Sequence, residues 1–147
     1  MRIFRLHRKQ RAASDYGGSL VYPGRWNTAG TPMLYAASTL SLACLEVTVH
    51  LTANQIPADY VHSSAALGYV PPIADYRGDI GDDLSTRRFG QWWATQRNEL
   101  AIRVPSVVIP IEFNVLLNPT HTKFNELAWS VSEAFRFDQR LLRGSKI

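Results

Sequence analysis

A single glutamate inside an apolar helical segment is the strongest chemical signal in this chain. Glu46 lies in the run LACLEVTVHL, where leucine, alanine and valine surround it and only His50 could pair with it at helical spacing. Burying a carboxylate without a partner is unfavourable, because the charge loses its hydration. A solvated polar stripe paired with a surface cation is therefore a weak interpretation, and we expect Glu46 to be a pocket carboxylate.

The loop before this helix carries side chains of types that bind ligands. Gly24 is followed by Arg25, Trp26 and Asn27, and Tyr35 comes soon after in a short apolar run. A guanidinium group presents paired N–H donors that match phosphate oxygens, so Arg25 beside an indole and an amide predicts a ligand-binding loop. Tyr35 fits a core aromatic side chain with its hydroxyl at the surface as well as it fits a pocket residue.

Motifs for other chemistries are missing from the sequence. The four histidines lack the spacing of a metal site, so we expect no metal, and the single Cys44 excludes both an internal disulfide and a cysteine-based zinc site. The sequence contains neither a Walker A motif nor a G-x-G-x-x-G fingerprint. Ser106 follows Pro105 without a G-x-S-x-G elbow, which favours a serine that bonds to the backbone over a hydrolase nucleophile.

The patterning of apolar residues predicts one α+β domain in which strands dominate. Alternation predicts a strand at residues 2–6, and a short buried strand is expected at 33–36 after a turn. Ser38 is a candidate N-cap for a buried helix that ends near Leu51. The other predicted segments, in chain order, are a loop over 10–24, a strand from Pro57, a surface excursion over 71–88, a short helix over 85–95, edge or kinked strands over 100–110, a turn-bounded segment over 114–121, a final strand over 127–137 and a tail over 139–147.

Length and composition describe a globular protein with one core. The chain has 147 residues, of which 46% are hydrophobic and 19% are charged. No apolar run is long enough to span a bilayer, and the first residues, MRIFRLHRKQR, intersperse basic and apolar side chains in a way that a secretory signal does not. We therefore expect a cytoplasmic protein that contacts no membrane.

The net charge of +4 permits nucleic-acid binding without requiring it. The basic cluster covers residues 2–11, where strand geometry would divide the side chains between two faces. A solvated edge strand is therefore favoured over a phosphate-binding track, and attraction of an anionic small molecule or an acidic partner is a third interpretation. A non-catalytic nucleic-acid-binding module is an alternative function, although no known DNA-reading motif supports it.

Five stretches of the sequence resemble the RES-domain family, bacterial toxins named for an arginine, a glutamate and a serine. They are RIFRL, PGRWNTAGTPMLYAAS, LACLEVTVHL, RVPSVVIPIEFNVLLNPTH and SVSEAFRFDQRL. Because these stretches run from one end of the chain to the other, the resemblance implies a single RES domain over residues 1–147. Residues 70–95 match least, so the resemblance assigns no function to them.

The resemblance implies both a fold and an activity. RES proteins are similar to ADP-ribosyltransferase toxins, so we expect a split, twisted β core around an NAD cleft. The implied enzyme cleaves the nicotinamide–ribose bond of NAD+, as a glycohydrolase or as a phosphorylase. NAD+ is then the substrate, inorganic phosphate is the co-substrate of phosphorolysis, and no cofactor is tightly bound. Transfer of ADP-ribose to a protein or nucleic acid is the alternative activity.

The resemblance also implies roles for individual residues. Glu46 would stabilise the positive charge that develops on the ribose. Arg25 would hold phosphate, with Arg5 as the second candidate for the essential arginine, and Ser106 would bond to the nicotinamide ribose or amide. Trp26 would flank the nicotinamide ring. In full, the implied catalytic residues are Arg25, Tyr35, Glu46 and Ser106, and the implied substrate-binding residues are Arg5, Trp26 and Asn27.

One protein partner follows from the resemblance. RES toxins are encoded beside an antitoxin with an Xre-like helix-turn-helix domain, which binds the toxin and blocks its cleft. Any contact with DNA would then be indirect, through the antitoxin. The implied biological role is that of the toxin in a type II toxin–antitoxin system, which depletes cellular NAD+.

Overall fold

An antiparallel sheet of six strands organises the fold, which a computed structural model describes for residues 1–51 and 56–142. The order of the strands across the sheet is β4-β5-β2-β1-β3-β6. The strands are β1 (Arg2–Arg8), β2 (Leu34–Ala37), β3 (Tyr60–Ala66), β4 (Ala101–Pro105), β5 (Phe113–Leu117) and β6 (Glu133–Ala134). The helices among these residues are α1 (Gly17–Val21), α2 (Leu40–Thr48) and α3 (Asp83–Gln96). The predicted α+β class is confirmed.

The sheet divides between β1 and β2. β1 pairs with β3 at seven register positions, and β2 pairs with β5 at four. Between β1 and β2 the described residues form one register pair, Phe4↔Ala37. Beyond that pair the strands lack further register partners, so Arg5–Arg8 and Leu34–Ala36 diverge. This divergence is the split that the family resemblance implies for the β core, and a cavity lies there beside Arg5 and Tyr35.

Each face of the sheet carries its own apolar core. Alternate residues of a strand point to opposite faces, so Leu34 and Ala36 pack on one side and Tyr35 and Ala37 on the other. α2 packs against the second face through Leu42, Ala43 and Cys44, and α3 packs there through Trp93 and Ala94. Both helices therefore cover the face that Tyr35 shares.

The predicted helix around Glu46 is confirmed, with a different start. Thr39 is the N-cap, since its hydroxyl accepts a hydrogen bond from the N–H of Leu42 at 3.0 Å. Ser38, the predicted cap, still extends the pairing of β2 with β5, because its N–H donates to the Phe113 carbonyl at 3.3 Å. The sequence predicts a helix buried all round, but only one side of α2 is buried and Ser41 lies exposed on the other.

The excursion over residues 71–88 leads into a longer helix than the sequence predicts. α3 covers 14 residues and begins after Asp82, whose carboxylate accepts hydrogen bonds from the N–H groups of Leu84 and Ser85. β4 lies at the edge of the sheet, as Pro105 predicts, because proline cannot donate to a neighbouring strand.

Four predicted segments differ from the structure in part or in full. The loop over residues 10–24 contains the short helix α1, and the segment over 114–121 begins within strand β5. The final strand over 127–137 is mostly wrong: only β6 and a bridge between Trp129 and Ala65 pair there. The tail over 139–147 begins with a 3₁₀ turn at Gln139–Leu142, and residues 143–147 lie outside the described residues. None of the described helices is long and apolar enough to cross a membrane.

Candidate active site

Glu46 is held by hydrogen bonds to one of its two carboxylate oxygens. Ser106 Oγ donates to Glu46 Oε1 at 2.6 Å, and Asn114 Nδ2 donates to the same oxygen at 2.8 Å. Among the described residues, none bonds to Oε2 and no cation forms an ion pair with the carboxylate. Hydrogen bonds to a charged acceptor are strong, so the side chain is fixed while one oxygen stays unoccupied.

Ser106 lies behind the carboxylate and not at a cavity wall. Ser106 is 1% exposed. Its hydroxyl oxygen accepts hydrogen bonds from the backbone N–H groups of Val108 and Ile109, each at 3.0 Å. Because the hydroxyl proton goes to Glu46, the group has little capacity left for a substrate. In this structure the hydroxyl therefore holds Glu46, and the expected contact of Ser106 with ribose or amide stays a prediction.

Two cavities meet at Glu46. The wider cavity, of about 510 Å³, contains the charged side chains of Arg25, Asp83 and Arg87. The narrower cavity, of about 300 Å³, is mostly apolar, and its lining includes Phe4, Leu6, Ala37, Ala43, Val47 and Leu51. Both cavities share four residues, which are Tyr35, Glu46, His50 and Asn114. A ligand that spans both cavities would pass Glu46.

Asn27 holds together the loop of residues 24–27, which we call the Arg25 loop. Its side-chain oxygen accepts hydrogen bonds from the Tyr35 hydroxyl at 2.6 Å and from the Gly24 N–H at 2.9 Å. Its amide nitrogen donates to the Ser19 carbonyl at 2.8 Å, and the residue is 0% exposed. Asn27 is therefore buried and holds the loop, and the substrate contact expected of it stays a prediction.

Trp26 supports the same loop from the protein interior. It is 2% exposed, and its ring packs edge-to-face against Tyr76 and Phe89, with centroids 5.2 and 5.9 Å away. The backbone N–H of Trp26 donates to the Tyr35 hydroxyl at 3.0 Å. The indole packs in the core, Trp26 also lines the wider cavity, and its expected contact with nicotinamide stays a prediction.

Helix α3 fixes the backbone of the Arg25 loop. The Thr86 hydroxyl donates to the Arg25 carbonyl at 2.6 Å, and Arg87 Nε donates to the Gly24 carbonyl at 3.0 Å. At Gly90 a Cβ atom would lie 1.6 Å from the Trp26 carbonyl oxygen, so only glycine allows the helix to approach this closely. A segment to which the sequence assigns no function therefore positions the site.

The two candidate arginines reach different cavities. Arg25 lines the wider cavity, and its Nη1 donates to the Ile80 carbonyl at 2.7 Å and to Asp83 Oδ1 at 3.1 Å. Arg5 lines the narrower cavity and donates to the backbone carbonyls of Ala13 and Asp15. Burial lowers the pKa of Arg5 to about 10, against the opposing charge of Asp15, so the guanidinium stays charged at neutral pH.

Tyr35 combines a structural hydroxyl with a ring that lines both cavities. Burial raises the pKa of Tyr35 to about 12, although its hydrogen bond from Trp26 and the positive charges of Arg87 and Arg25 oppose the shift. The phenol is therefore protonated at neutral pH and can donate to Asn27. The structure brings Tyr35, Glu46 and Arg25 to one region, as the sequence predicts.

Three residues at the site were not identified from the sequence. Asn114 bonds to Glu46, His50 lines both cavities, and Arg87 lines the wider one. Asn114 could have been identified from the sequence, because a polar side chain within the apolar run of β5 needs a hydrogen-bond partner. Over residues 1–51 and 56–142, histidine, cysteine, aspartate and glutamate side chains form no group that could hold a metal ion.

Comparisons with known proteins agree with this architecture. The family described as RES domain matches residues 2–138. The chain is 32% identical over 139 residues to the Prs ADP-ribosylating toxin of Sphingobium sp. (strain YBL2), covering 86% of this chain and 84% of that protein. It is 30% identical over 162 residues to Toxin Res of Photorhabdus laumondii subsp. laumondii, covering 99% of this chain and 100% of that protein.

A solved structure shares the fold. The chain superposes on a chain of the M. tuberculosis MbcT–MbcA toxin–antitoxin complex with a TM-score of 0.67 and 17% sequence identity. The match covers 91% of this chain and 83% of that chain. This similarity confirms the expected fold.

Proposed function

The chain belongs to the RES domain family, and from this premise we propose that it is the toxin of a toxin–antitoxin system and consumes NAD+. Relatives named Toxin Res and a fold shared with a chain of a toxin–antitoxin complex support the biological role. One observation carries the chemical part of the proposal. Glu46 is fixed through Oε1 at the meeting point of an apolar and a cationic cavity.

Glu46 supplies negative charge where a glycosidic bond can break. The bond between the nicotinamide nitrogen and ribose C1′ breaks, both electrons leave on the neutral nicotinamide, and positive charge develops on the ribose. A carboxylate that is already held in place stabilises this charge without reorganising during the reaction. The hydrogen bonds from Ser106 and Asn114 supply that preorganisation.

The two cavities suggest an orientation for the dinucleotide. The flat, uncharged nicotinamide ring that leaves fits the narrower cavity, beside Phe4 and Leu6. The phosphates fit the wider cavity, where Arg25 contributes positive charge. The ribose between these two groups then lies against Glu46. Arg5, at the wall of the narrower cavity, is a further positive charge within reach of the ligand.

Hydrolysis, phosphorolysis and ADP-ribosyl transfer differ in the molecule that accepts the ADP-ribosyl group. Water gives ADP-ribose and a proton, and inorganic phosphate gives ADP-ribose 1″-phosphate. We propose one of these two small acceptors, because the cavities at Glu46 are of a size for a dinucleotide and a small co-substrate. Transfer to a macromolecule is the second candidate, and it is favoured by the relative named Prs ADP-ribosylating toxin.

Product analysis tests the proposal. The purified chain, freed of any co-expressed partner, is incubated with NAD+ in the presence and absence of inorganic phosphate, and products are identified by mass spectrometry. Nicotinamide with ADP-ribose indicates hydrolysis, and the phosphorylated product indicates phosphorolysis. Loss of NAD+ that requires an added protein acceptor would assign transfer. Intact NAD+ under all these conditions would refute the proposed function.

The proposal includes a protein partner. An antitoxin that covers the mouth of the wider cavity would block NAD+ entry, and the exposed Val49 and Val107 give that mouth an apolar rim. The fold shared with a chain of the MbcT–MbcA complex supports such a partner. An Xre-like helix-turn-helix domain in it would make DNA contact indirect, and the complex would act in the cytoplasm.

A further inference from the structure

We propose that Arg87 of α3 binds a phosphate group of the substrate in the wider cavity, a role that rests on the proposed function. The ligand class is a phosphate oxyanion, carried either by the dinucleotide or by inorganic phosphate as co-substrate. Arg87 lies in residues 70–95, the part of the chain that sequence resemblance left without a role. The inference comes from the contacts of its guanidinium group.

Arg87 presents unused donors to the wider cavity. The residue is half-buried, and its Nε donates to the Gly24 carbonyl at 3.0 Å. Among the described residues, no acceptor bonds to its two Nη groups and no carboxylate pairs with it. A partly buried guanidinium with free donors is favourable when an anion occupies the adjacent space.

The contrast with Arg25 identifies which cation is free. Both arginines line the wider cavity, yet Arg25 Nη1 bonds to the Ile80 carbonyl and lies 3.1 Å from Asp83 Oδ1. Asp83 therefore offsets part of the charge of Arg25. The charge of Arg87 has no such partner among the described residues, so it is the stronger attractor for an anion in this cavity.

The stem of Arg87 is held in place before any ligand arrives. Its own bond to Gly24 and the neighbouring bond from Thr86 to the Arg25 carbonyl fix α3 against the Arg25 loop. A guanidinium held by Nε leaves the Nη groups as a planar pair, which matches two oxygens of a phosphate. Preorganisation of this kind lowers the entropy lost on binding.

Steady-state kinetics of Arg87→Gln test this role, with Arg88→Gln as the matched control. Arg88 is the next residue on α3 and is exposed, so its loss changes net charge equally without altering the cavity. Losing a charge-assisted contact predicts a rise of about 10- to 100-fold in a KM for Arg87→Gln. A rise in the KM for NAD+ assigns the dinucleotide phosphate, and a rise in the KM for inorganic phosphate assigns the co-substrate. Arg87→Lys keeps the positive charge but lacks the paired Nη donors, so its KM should lie between those of the wild type and Arg87→Gln.

Two results would overturn the inference. One is an Arg87→Gln variant with both KM values within about twofold of those of Arg88→Gln, given that one lost contact should cost at least tenfold. The other is a lower kcat and lower thermal stability with unchanged KM values, which would make Arg87 only a support for the Arg25 loop.

Calorimetric titration with inorganic pyrophosphate separates this question from the proposed activity. Even if the wild type leaves NAD+ intact, it should bind pyrophosphate at least tenfold more tightly than Arg87→Gln, and equal binding would refute the site.

Discussion

Ser106 Oγ lies 2.6 Å from Glu46 Oε1, although the two residues are 60 positions apart in the chain. The serine follows the edge strand β4, and the glutamate belongs to α2, so the contact joins two elements across the second face of the sheet. Asn114 of β5 donates to the same oxygen at 2.8 Å. The carboxylate, the hydroxyl and the amide therefore form one unit whose parts should not act independently.

Ser106→Ala should reduce turnover through Glu46. The variant removes one of two hydrogen bonds to the carboxylate and leaves the N–H groups of Val108 and Ile109 without their acceptor, at a cost of about 1–3 kcal/mol in the free energy of unfolding. We expect a lower kcat with a nearly constant KM for NAD+, since the serine does not line either cavity. Kinetics and denaturant unfolding measure the two effects.

A double-mutant cycle separates positioning from an independent role. In a Glu46→Gln background, Ser106→Ala should reduce the residual turnover far less than it does in the wild type, because coupled residues are not additive. Ser41→Ala, on the exposed side of α2, is the control and should behave as wild type. Equal losses in both backgrounds would contradict the account.

Gly90→Ala should displace the Arg25 loop. The new Cβ atom would lie 1.6 Å from the Trp26 carbonyl oxygen, and overpacking of this kind costs about 1–3 kcal/mol or more. The gain in helix propensity, at most about 1 kcal/mol, is too small to compensate. We expect lower thermal stability together with lower NAD+ turnover. Gly18→Ala is the matched control, because no atom lies within 4 Å of its Cβ position, and it should be neutral.

Tyr35→Phe should weaken the same loop and change alkaline stability. Loss of the hydroxyl removes the donor to Asn27 and the acceptor for Trp26, which should lower the free energy of unfolding by about 1–3 kcal/mol at neutral pH. Thermal unfolding at pH 7 measures this loss, and NAD+ turnover should fall with it. A variant as stable as wild type would show that the hydroxyl does not hold the loop.

The pH dependence follows from the raised pKa of Tyr35. In the unfolded chain the phenol loses its proton near its ordinary pKa of 10.0, whereas in the folded protein it holds the proton until about pH 12. Its stabilising contribution is therefore complete below pH 10 and is lost as pH rises through 12, by up to about 1.4 kcal/mol per pH unit. Tyr35→Phe should lack this part of the slope. Denaturant unfolding between pH 9 and about 12 compares the two proteins, and identical slopes would contradict the assignment.

The elements that carry the chemistry were largely predictable. The strand that holds Arg5 follows from the alternation of apolar residues, and the helix around Glu46 follows from an apolar run behind a capping residue. The edge position of β4 follows from Pro105. An apolar helix with one carboxylate also predicts a partner for that charge. The sequence could not say that Asn114 is a partner, because the register that sets Asn114 opposite Ala37 depends on long-range pairing.

Residue types alone did not predict which side chains of the Arg25 loop are buried. Trp26 and Asn27 suit ligand binding and core packing equally, and the burial of both residues depends on tertiary contacts. For Arg87 the sequence favours a solvated side chain, because that is the usual place of a basic residue in an amphipathic helix. Only the close approach allowed by Gly90 brings Arg87 to the wall of the wider cavity.

Release of nicotinamide from NAD+ tests the central claim most directly. Purified, partner-free wild type and Glu46→Gln are followed side by side in buffer with inorganic phosphate, after both are shown to be folded. Wild type should release nicotinamide in proportion to its concentration, and Glu46→Gln should be slower by about 100-fold or more, because the amide keeps the hydrogen bonds but lacks the charge. A folded wild type that leaves NAD+ intact, or a Glu46→Gln variant as fast as wild type, would contradict the account.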